Sequence, residues 1–152
     1  MPPEWPVGGD PAKLTLTANA GTLLSWRGYK VLIDGIHDGG DPQFSAVPPE
    51  ILRRIEDGAP PFDGVGWLVF THLHRDHFSA RAVQRFLEKH PQTPMFLPAG
   101  NEGLGLDPEI NTLRAYLMAH ASPVRELRLP YGREICYPLA PGLRMTAFSA
   151  EH

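Results

Sequence analysis

The feature that most constrains this chain is an apolar run, VGWLVFT at residues 65–71, that leads directly into a dense cluster of histidine and aspartate side chains. A run without charged residues predicts a strand buried on both faces, and such strands occur in sheets covered by other layers. The cluster consists of His72, His74, Asp76 and His77. Because open sheets bind ligands at the carboxyl ends of their strands, the cluster lies where a ligand site is expected.

Strand and helix patterns alternate through the middle of the chain, between strand-rich ends. The first three predicted strands, at 13–18, 22–26 and 29–34, are joined by short turns and indicate a small antiparallel sheet. Helices are predicted at 49–58, after an N-cap at Ser79, and at 107–120 with Asp107 as the cap; further strands are predicted at 93–98, 124–130, 134–140 and 143–150. This order favours an α/β (α+β) fold, with sheet layers covered by helices, in a single domain of residues 1–152.

Composition and charge disfavour several classes of partner. Hydrophobic residues make up 42% of the chain and charged residues 20%, which is typical of a folded globular protein. A net charge of -3, with no run of Lys or Arg, disfavours nucleic acid. No apolar segment approaches the roughly 18 to 20 residues that span a bilayer, and the first residues lack a signal-peptide pattern. We therefore expect a cytoplasmic protein without a membrane partner, in which the single cysteine, Cys136, is a buried strand residue without a role.

The spacing of the cluster suits metal binding. His72 and His74 are two residues apart, so in an extended segment both imidazoles point to the same side and can reach one cation. Asp76 and His77 follow where the chain bends, and the bend can aim them at a neighbouring point, which gives two adjacent metal positions. Imidazole and carboxylate ligands favour zinc, with iron or manganese as alternatives, over calcium or magnesium.

Such a centre indicates hydrolysis. A bound divalent metal lowers the pKa of a coordinated water from ~15.7 to about 7, and a second metal polarises the group that is attacked. The N-terminus of the following helix favours an anionic group in the same space. The alternative is that these histidines are ordinary surface or core residues grouped by chance, but the position between a buried strand and a capped helix makes the metal interpretation stronger.

The order Thr71-His72-Leu73-His74-Arg75-Asp76-His77 resembles the His-x-His-x-Asp-His hallmark of the metallo-β-lactamase superfamily, and the segments NAGTLL and VLIDG are similar to the opening of that family. The resemblance implies the first part of an αββα sandwich. It also implies that His72, His74 and a later histidine, here His152, bind a first metal. Asp76 and His77 would bind a second, and Asp76 would orient the attacking water. Asp34 would support the histidine loop as a hydrogen-bond acceptor behind the ligands.

The resemblance further implies a metal-dependent hydrolase of small molecules, acting on an ester, lactone, amide or phosphodiester. Two ligands of the family, a bridging aspartate and a final histidine, would lie beyond His152, so we expect an N-terminal part of a longer protein. A missing C-terminal segment or a second copy of the chain would then complete the site, and without it we expect the 152-residue chain to bind metal weakly or partially and to be inactive or weakly active. The alternative function is a catalytically inactive module that retains part of the site and needs such a partner.

Three other histidines are expected to lie outside the centre. His90 and His120 come at the ends of predicted helices, where an imidazolium is favoured by the helix dipole for structural reasons. His37, in a long Gly/Asp-rich loop, could line a substrate pocket, but we expect an exposed histidine without a role.

Overall fold

The structure is a computed structural model that describes residues 11–40, 42–99 and 107–149. Within these ranges the chain is a mixed α and β protein with a mixed β-sheet, which confirms the coarse fold prediction. The elements are β1 (Lys13–Leu16), β2 (Thr22–Trp26), β3 (Tyr29–Ile33), α1 (Pro49–Asp57), β4 (Trp67–Val69), α2 (Ala80–Lys89), β5 (Met95–Pro98), α3 (Ile110–Ala119), β6 (Val124–Leu127), β7 (Glu134–Ala140) and β8 (Leu143–Phe148). His152 lies outside the described residues.

Six strands form one sheet in the order β1-β2-β3-β4-β5-β6. The first three are antiparallel, as the short turns between them predict, and β3 to β6 run parallel to one another. In the register of the parallel part, Leu32 of β3 pairs with Leu68 of β4. The carboxyl ends of β3 and β4 therefore meet at one edge of the sheet, and the residues that follow them are brought together there.

The two faces of the sheet carry separate apolar clusters, because successive residues of a strand point to opposite sides. Leu32, Leu68 and Leu97 belong to the larger cluster, which includes buried side chains from all three described helices. Val31, Val69 and Phe96 belong to the smaller cluster on the other face. The strands are thus buried on both sides, as the apolar run at 65–71 predicts.

The hairpin of β7 and β8 covers the second face. Trp67 donates a hydrogen bond from Nε1 to the carbonyl oxygen of Leu139, at 3.0 Å, and Tyr137 lies with its ring centroid 4.9 Å from that of Phe96. Alternate residues of the hairpin point away from the sheet, and Cys136 is one of them. The prediction that Cys136 is buried is wrong, since its side of the strand is exposed. The described part of the chain thus forms three layers: helices, a six-stranded sheet and a two-stranded sheet.

The helix ends agree with the sequence at α2 and differ at α3. Ser79 accepts a hydrogen bond on Oγ from the backbone N–H of Ala82, as an N-cap does. Asp107 is not the cap of α3, which begins at Ile110 with Glu109 before it. Instead Asp107 forms a turn in front of that helix: its carboxylate accepts from the N–H of Glu109 at 2.8 Å and from that of Ala80 at 2.9 Å. The same side chain thereby joins the starts of α2 and α3. None of the helices in the described ranges is long and apolar enough to cross a membrane.

Candidate metal centre

Two parallel strands place the first part of the candidate site. Asp34 follows β3 directly and has a left-handed backbone conformation, with φ of 47°. Its N–H donates to the carbonyl oxygen of Val69 in β4, at 3.0 Å, and its Oδ1 accepts from the N–H of Thr71 at 2.8 Å. The chain leaving β4 is therefore fixed to the end of β3 just before the first histidine.

The carboxylate of Asp34 also reaches the far end of the motif. It is buried, and its Oδ2 accepts from Oγ1 of Thr71 at 2.5 Å and lies 2.9 Å from Nδ1 of His77. Because a carboxylate oxygen accepts hydrogen bonds, His77 donates from Nδ1, and in the neutral form of the ring Nε2 then carries a lone pair. That nitrogen lies 3.2 Å from Oδ2 of Asp76. A cation between the two atoms would satisfy both lone pairs.

A tight turn brings Asp76 and His77 back toward the first histidine. The carbonyl oxygen of His74 accepts from the N–H groups of His77 and Phe78, both at 2.9 Å. Asn19, in the turn after β1, donates from Nδ2 to the backbone oxygen of Asp76 at 3.0 Å and to its Oδ2 at 3.3 Å. The role of Asn19 was not predicted from the sequence. Its signal is an asparagine in an Asn-Ala-Gly turn, and its φ of 47° is one that asparagine tolerates well.

The ligand atoms of His72, Asp76 and His77 all lie within 4.8 Å of one another, and the three side chains are half-buried. The ring of His72 lies with its centroid 3.9 Å from that of His77 and 4.7 Å from that of His74. The sequence predicts one pair at 72 and 74 and a second pair at 76 and 77. The structure brings His72 together with the second pair, and His74 lies beside this group.

The chemistry of these donors fits a borderline divalent metal. Two imidazoles and one carboxylate within reach of one point suit zinc, iron or manganese, and leave positions open for water or a further ligand. The pKa of His72 is lowered, first by burial and then by the neighbouring His77 and His74, with Asp34 and Asp76 opposing the shift. A lowered pKa favours the neutral imidazole, which is the form that binds metal.

No protein-family model and no curated protein matches this chain. The assignment of a family therefore depends on the motif and on the geometry of its side chains.

The prediction that His37 is an exposed loop residue is wrong. The residue is 0% exposed. Its loop is drawn into the fold because Ile36 forms an isolated parallel bridge with Phe78 and accepts on its carbonyl oxygen from the N–H of Ser79, at 3.0 Å. Burial lowers the pKa of His37, and the charge of His77 lowers it further, whereas the Ala18 backbone raises it in part.

His90 and His120 lie at the C-terminal ends of α2 and α3. Nε2 of His90 is 3.0 Å from the carbonyl oxygen of Glu56, and Nδ1 of His120 is 2.9 Å from that of Tyr116. Each imidazole thus has a backbone carbonyl oxygen as its hydrogen-bond partner. Neither residue belongs to the group of His72, Asp76 and His77.

Proposed function

We propose that this chain is a metal-dependent hydrolase of the metallo-β-lactamase superfamily, with the first layers of an αββα sandwich, that acts on an ester, lactone, amide or phosphodiester of a small molecule. The support is the sequence of the motif, its position after a buried parallel strand, and the layered arrangement of helices and sheets. Zinc is the proposed metal, with iron or manganese as alternatives.

One observation carries the proposal. His72, Asp76 and His77 converge to within 4.8 Å at the carboxyl edge of the parallel strands, and the buried carboxylate of Asp34 orients one of them from behind. A surface histidine placed by chance would have no reason to bond to a buried carboxylate. Carboxylate-oriented imidazoles are a common feature of metal sites, because the acceptor fixes both the tautomer and the ring.

The protein side chains have separate roles in this proposal. His72, His74 and His77 supply neutral nitrogen ligands, and Asp76 supplies an oxygen and accepts a hydrogen bond from the attacking water, which orients it. Asp34 and Thr71 hold the motif in place. A zinc ion, when bound, supplies a nucleophile at neutral pH by lowering the pKa of its water to about 7. His152, outside the described residues, remains a proposed third imidazole for the first metal, and a C-terminal segment or a second copy of the chain would supply the remaining ligands.

The proposal is tested by metal content and by hydrolysis. We expect purified protein to retain zinc at partial occupancy, measured by mass spectrometry of the metal, and the double variant His72→Ala, His74→Ala to lose most of it. His120→Ala, which removes an exposed imidazole, is the control and should retain zinc as the wild type does. Hydrolysis of p-nitrophenyl acetate or bis(p-nitrophenyl) phosphate should disappear with a chelator and return with zinc.

The zinc measurement and the hydrolysis measurement can each contradict the proposal. Zinc content equal in the wild type and the double variant would overturn the metal centre. Stoichiometric zinc without hydrolysis of either compound, in a protein that also carries the remaining ligands, would overturn the hydrolase and favour the inactive module.

A further inference from the structure

His37 is a buried polar residue whose imidazole has no hydrogen-bond partner, among the described residues, to account for its burial. It is 0% exposed, and neither ring nitrogen has a hydrogen-bond partner among the described residues. The Ala18 backbone comes near the ring but not in hydrogen-bond geometry. A buried polar group without a hydrogen-bond partner destabilises the fold, which indicates that this residue has a further role.

The backbone places His37 against the proposed metal centre. Ile36, the residue before it, is bridged to Phe78, the residue after His77. The ionisable side chains whose charges act on His37 are His77, Asp76 and Asp34, and all three belong to the centre. The turn whose Ala18 approaches the ring also carries Asn19, which donates to Asp76. His37 therefore follows a residue that is bridged to the motif, and the charges of the motif's carboxylates act on its ring, although no carboxylate in the described part of the chain is in hydrogen-bond contact with it.

The hydrogen bonds of those carboxylates indicate which of them could accept a further hydrogen bond from His37. Asp34 is well supplied, because Thr71 donates to both of its oxygens and His77 Nδ1 lies at 2.9 Å. Asp76 has Asn19 as the side-chain donor to its Oδ2, and its Oδ1 takes part in none of these contacts. If His77 gives its hydrogen to Asp34, its Nε2 has none to give to Asp76. A carboxylate has about four lone-pair sites, so Asp76 has room for a further donor.

Two other roles fit the structure less well. His37 is not a member of the group whose ligand atoms lie within 4.8 Å of one another, and it is fully buried, whereas the half-buried His74 has its ring 4.7 Å from that of His72; His37 is therefore the poorer candidate for a ligand of the same ion. It is also fully buried, so a substrate would not reach it from solvent.

We propose that His37 is a positioning residue of the metal centre, which donates a hydrogen bond from its neutral imidazole to the Asp76 carboxylate when that carboxylate binds metal. The proposal rests on the proposed metal centre and adds a residue that the motif does not contain. Metal-binding carboxylates are themselves hydrogen-bonded in most sites, and loss of such a partner typically lowers metal affinity by about 10- to 100-fold.

Zinc affinity of two variants tests this role. His37→Leu fills the space without a donor, and His37→Gln keeps an N–H donor in a side chain of similar reach. We expect zinc affinity, measured by competition with a chromophoric chelator, to fall by about 10- to 100-fold in His37→Leu and to be largely restored in His37→Gln. The metal-free His37→Leu protein should unfold in urea at a concentration no lower than the wild type, because the leucine removes an unpaired buried polar group.

Several outcomes would overturn the inference. Wild-type affinity in His37→Leu would do so, and equal losses in His37→Leu and His37→Gln would show packing alone. The two proposals fail differently: absence of zinc binding by the wild-type chain overturns the metal centre and His37 with it, whereas normal wild-type binding with an unchanged His37→Leu overturns the role of His37 alone.

Discussion

The Oδ2 atom of Asp34 lies 2.9 Å from Nδ1 of His77, although the two residues are 43 positions apart in the chain. The same carboxylate accepts two hydrogen bonds from Thr71, at the start of the motif. One buried side chain at the end of β3 therefore fixes both ends of the histidine loop and turns Nε2 of His77 toward Asp76. The arrangement follows from the parallel pairing of β3 and β4, which brings their carboxyl ends together.

Substitution of this carboxylate should weaken both the site and the fold. In Asp34→Asn an NH₂ group replaces one carboxylate oxygen. That group cannot accept the hydrogen bonds that the oxygen accepted, and its own hydrogens point at the same donors. We expect zinc affinity to fall by about 10- to 100-fold, because the tautomer and orientation of His77 are no longer fixed. The free energy of unfolding of the metal-free protein should fall by about 1–3 kcal/mol, since a buried donor loses its acceptor. Chelator competition and urea unfolding measure the two effects.

Asp63→Asn is the matched control, because it makes the same chemical change at an exposed carboxylate, which pairs with Lys30 at 3.0 Å. Exposed pairs contribute little, typically below about 1 kcal/mol. If both variants lose equal zinc affinity, Asp34 has no specific part in the centre.

Local sequence patterns predicted those features that depend on neighbouring residues. The apolar run before the motif predicted a strand buried on both faces, and Leu68 and Val69 lie in the two clusters on its opposite sides. Ser79 was predicted as an N-cap because the capping bond spans three residues, and the structure contains it. The existence and order of the described strands and helices follow from the same local signals.

Features that depend on contacts between distant segments were not predicted. His37 lies in a Gly/Asp-rich loop, which is typical of exposed structure, but the bridge between Ile36 and Phe78 buries it. Asp107 is of a residue type that commonly caps helices, yet its carboxylate accepts a hydrogen bond from the backbone N–H of Ala80, which is 27 positions earlier. Cys136 has mostly apolar neighbours in the sequence, which is typical of a buried strand. Its side chain is exposed because the position of the whole hairpin determines which face of the strand is covered. No local pattern determines these contacts.

Zinc should stabilise the folded chain. A ligand that binds only the folded state stabilises it by about 2.7 kcal/mol when its free concentration is about 100 times its dissociation constant. We therefore expect added zinc to raise the midpoint of thermal unfolding, followed by circular dichroism, and His72→Ala to abolish most of the increase. Magnesium at the same concentration is the control, because it prefers an all-oxygen shell and should have little effect. Equal stabilisation by both metals would argue against binding at the motif.

The stability of the metal-free protein should decrease in mild acid. Burial lowers the pKa values of His37 and His72 below 6.5 in the folded chain, whereas both rings are exposed in the unfolded chain and titrate near that value. As the pH falls below 6.5, the unfolded chain binds more protons than the folded one, so the free energy of unfolding falls. Urea unfolding with a chelator present, at about pH 7.5 and about pH 5.5, measures the change.

His37→Leu removes one of these two groups from the titration. Its stability should depend less steeply on pH over the same interval, and a slope equal to that of the wild type would contradict a lowered pKa at His37.

Trp67 should link the helix-covered sheet to the hairpin on its other face. Its ring stacks on Phe96, with centroids 5.0 Å apart, and its Nε1 donates to the carbonyl oxygen of Leu139 in β7. Trp67→Phe keeps an aromatic ring in the cluster but leaves that carbonyl without its donor. We expect the free energy of unfolding in urea to fall by about 1–3 kcal/mol, because a partly buried acceptor loses its partner.

Tyr131→Phe is the control for this change, since it removes a polar atom from an aromatic residue that is 70% exposed. Substitutions at such surface sites usually change stability by less than about 0.5 kcal/mol. If Trp67→Phe were equally harmless, the hairpin would be held by its apolar side chains alone. The larger loss is expected because the Trp67 bond joins two layers, the six-stranded sheet and the β7–β8 hairpin.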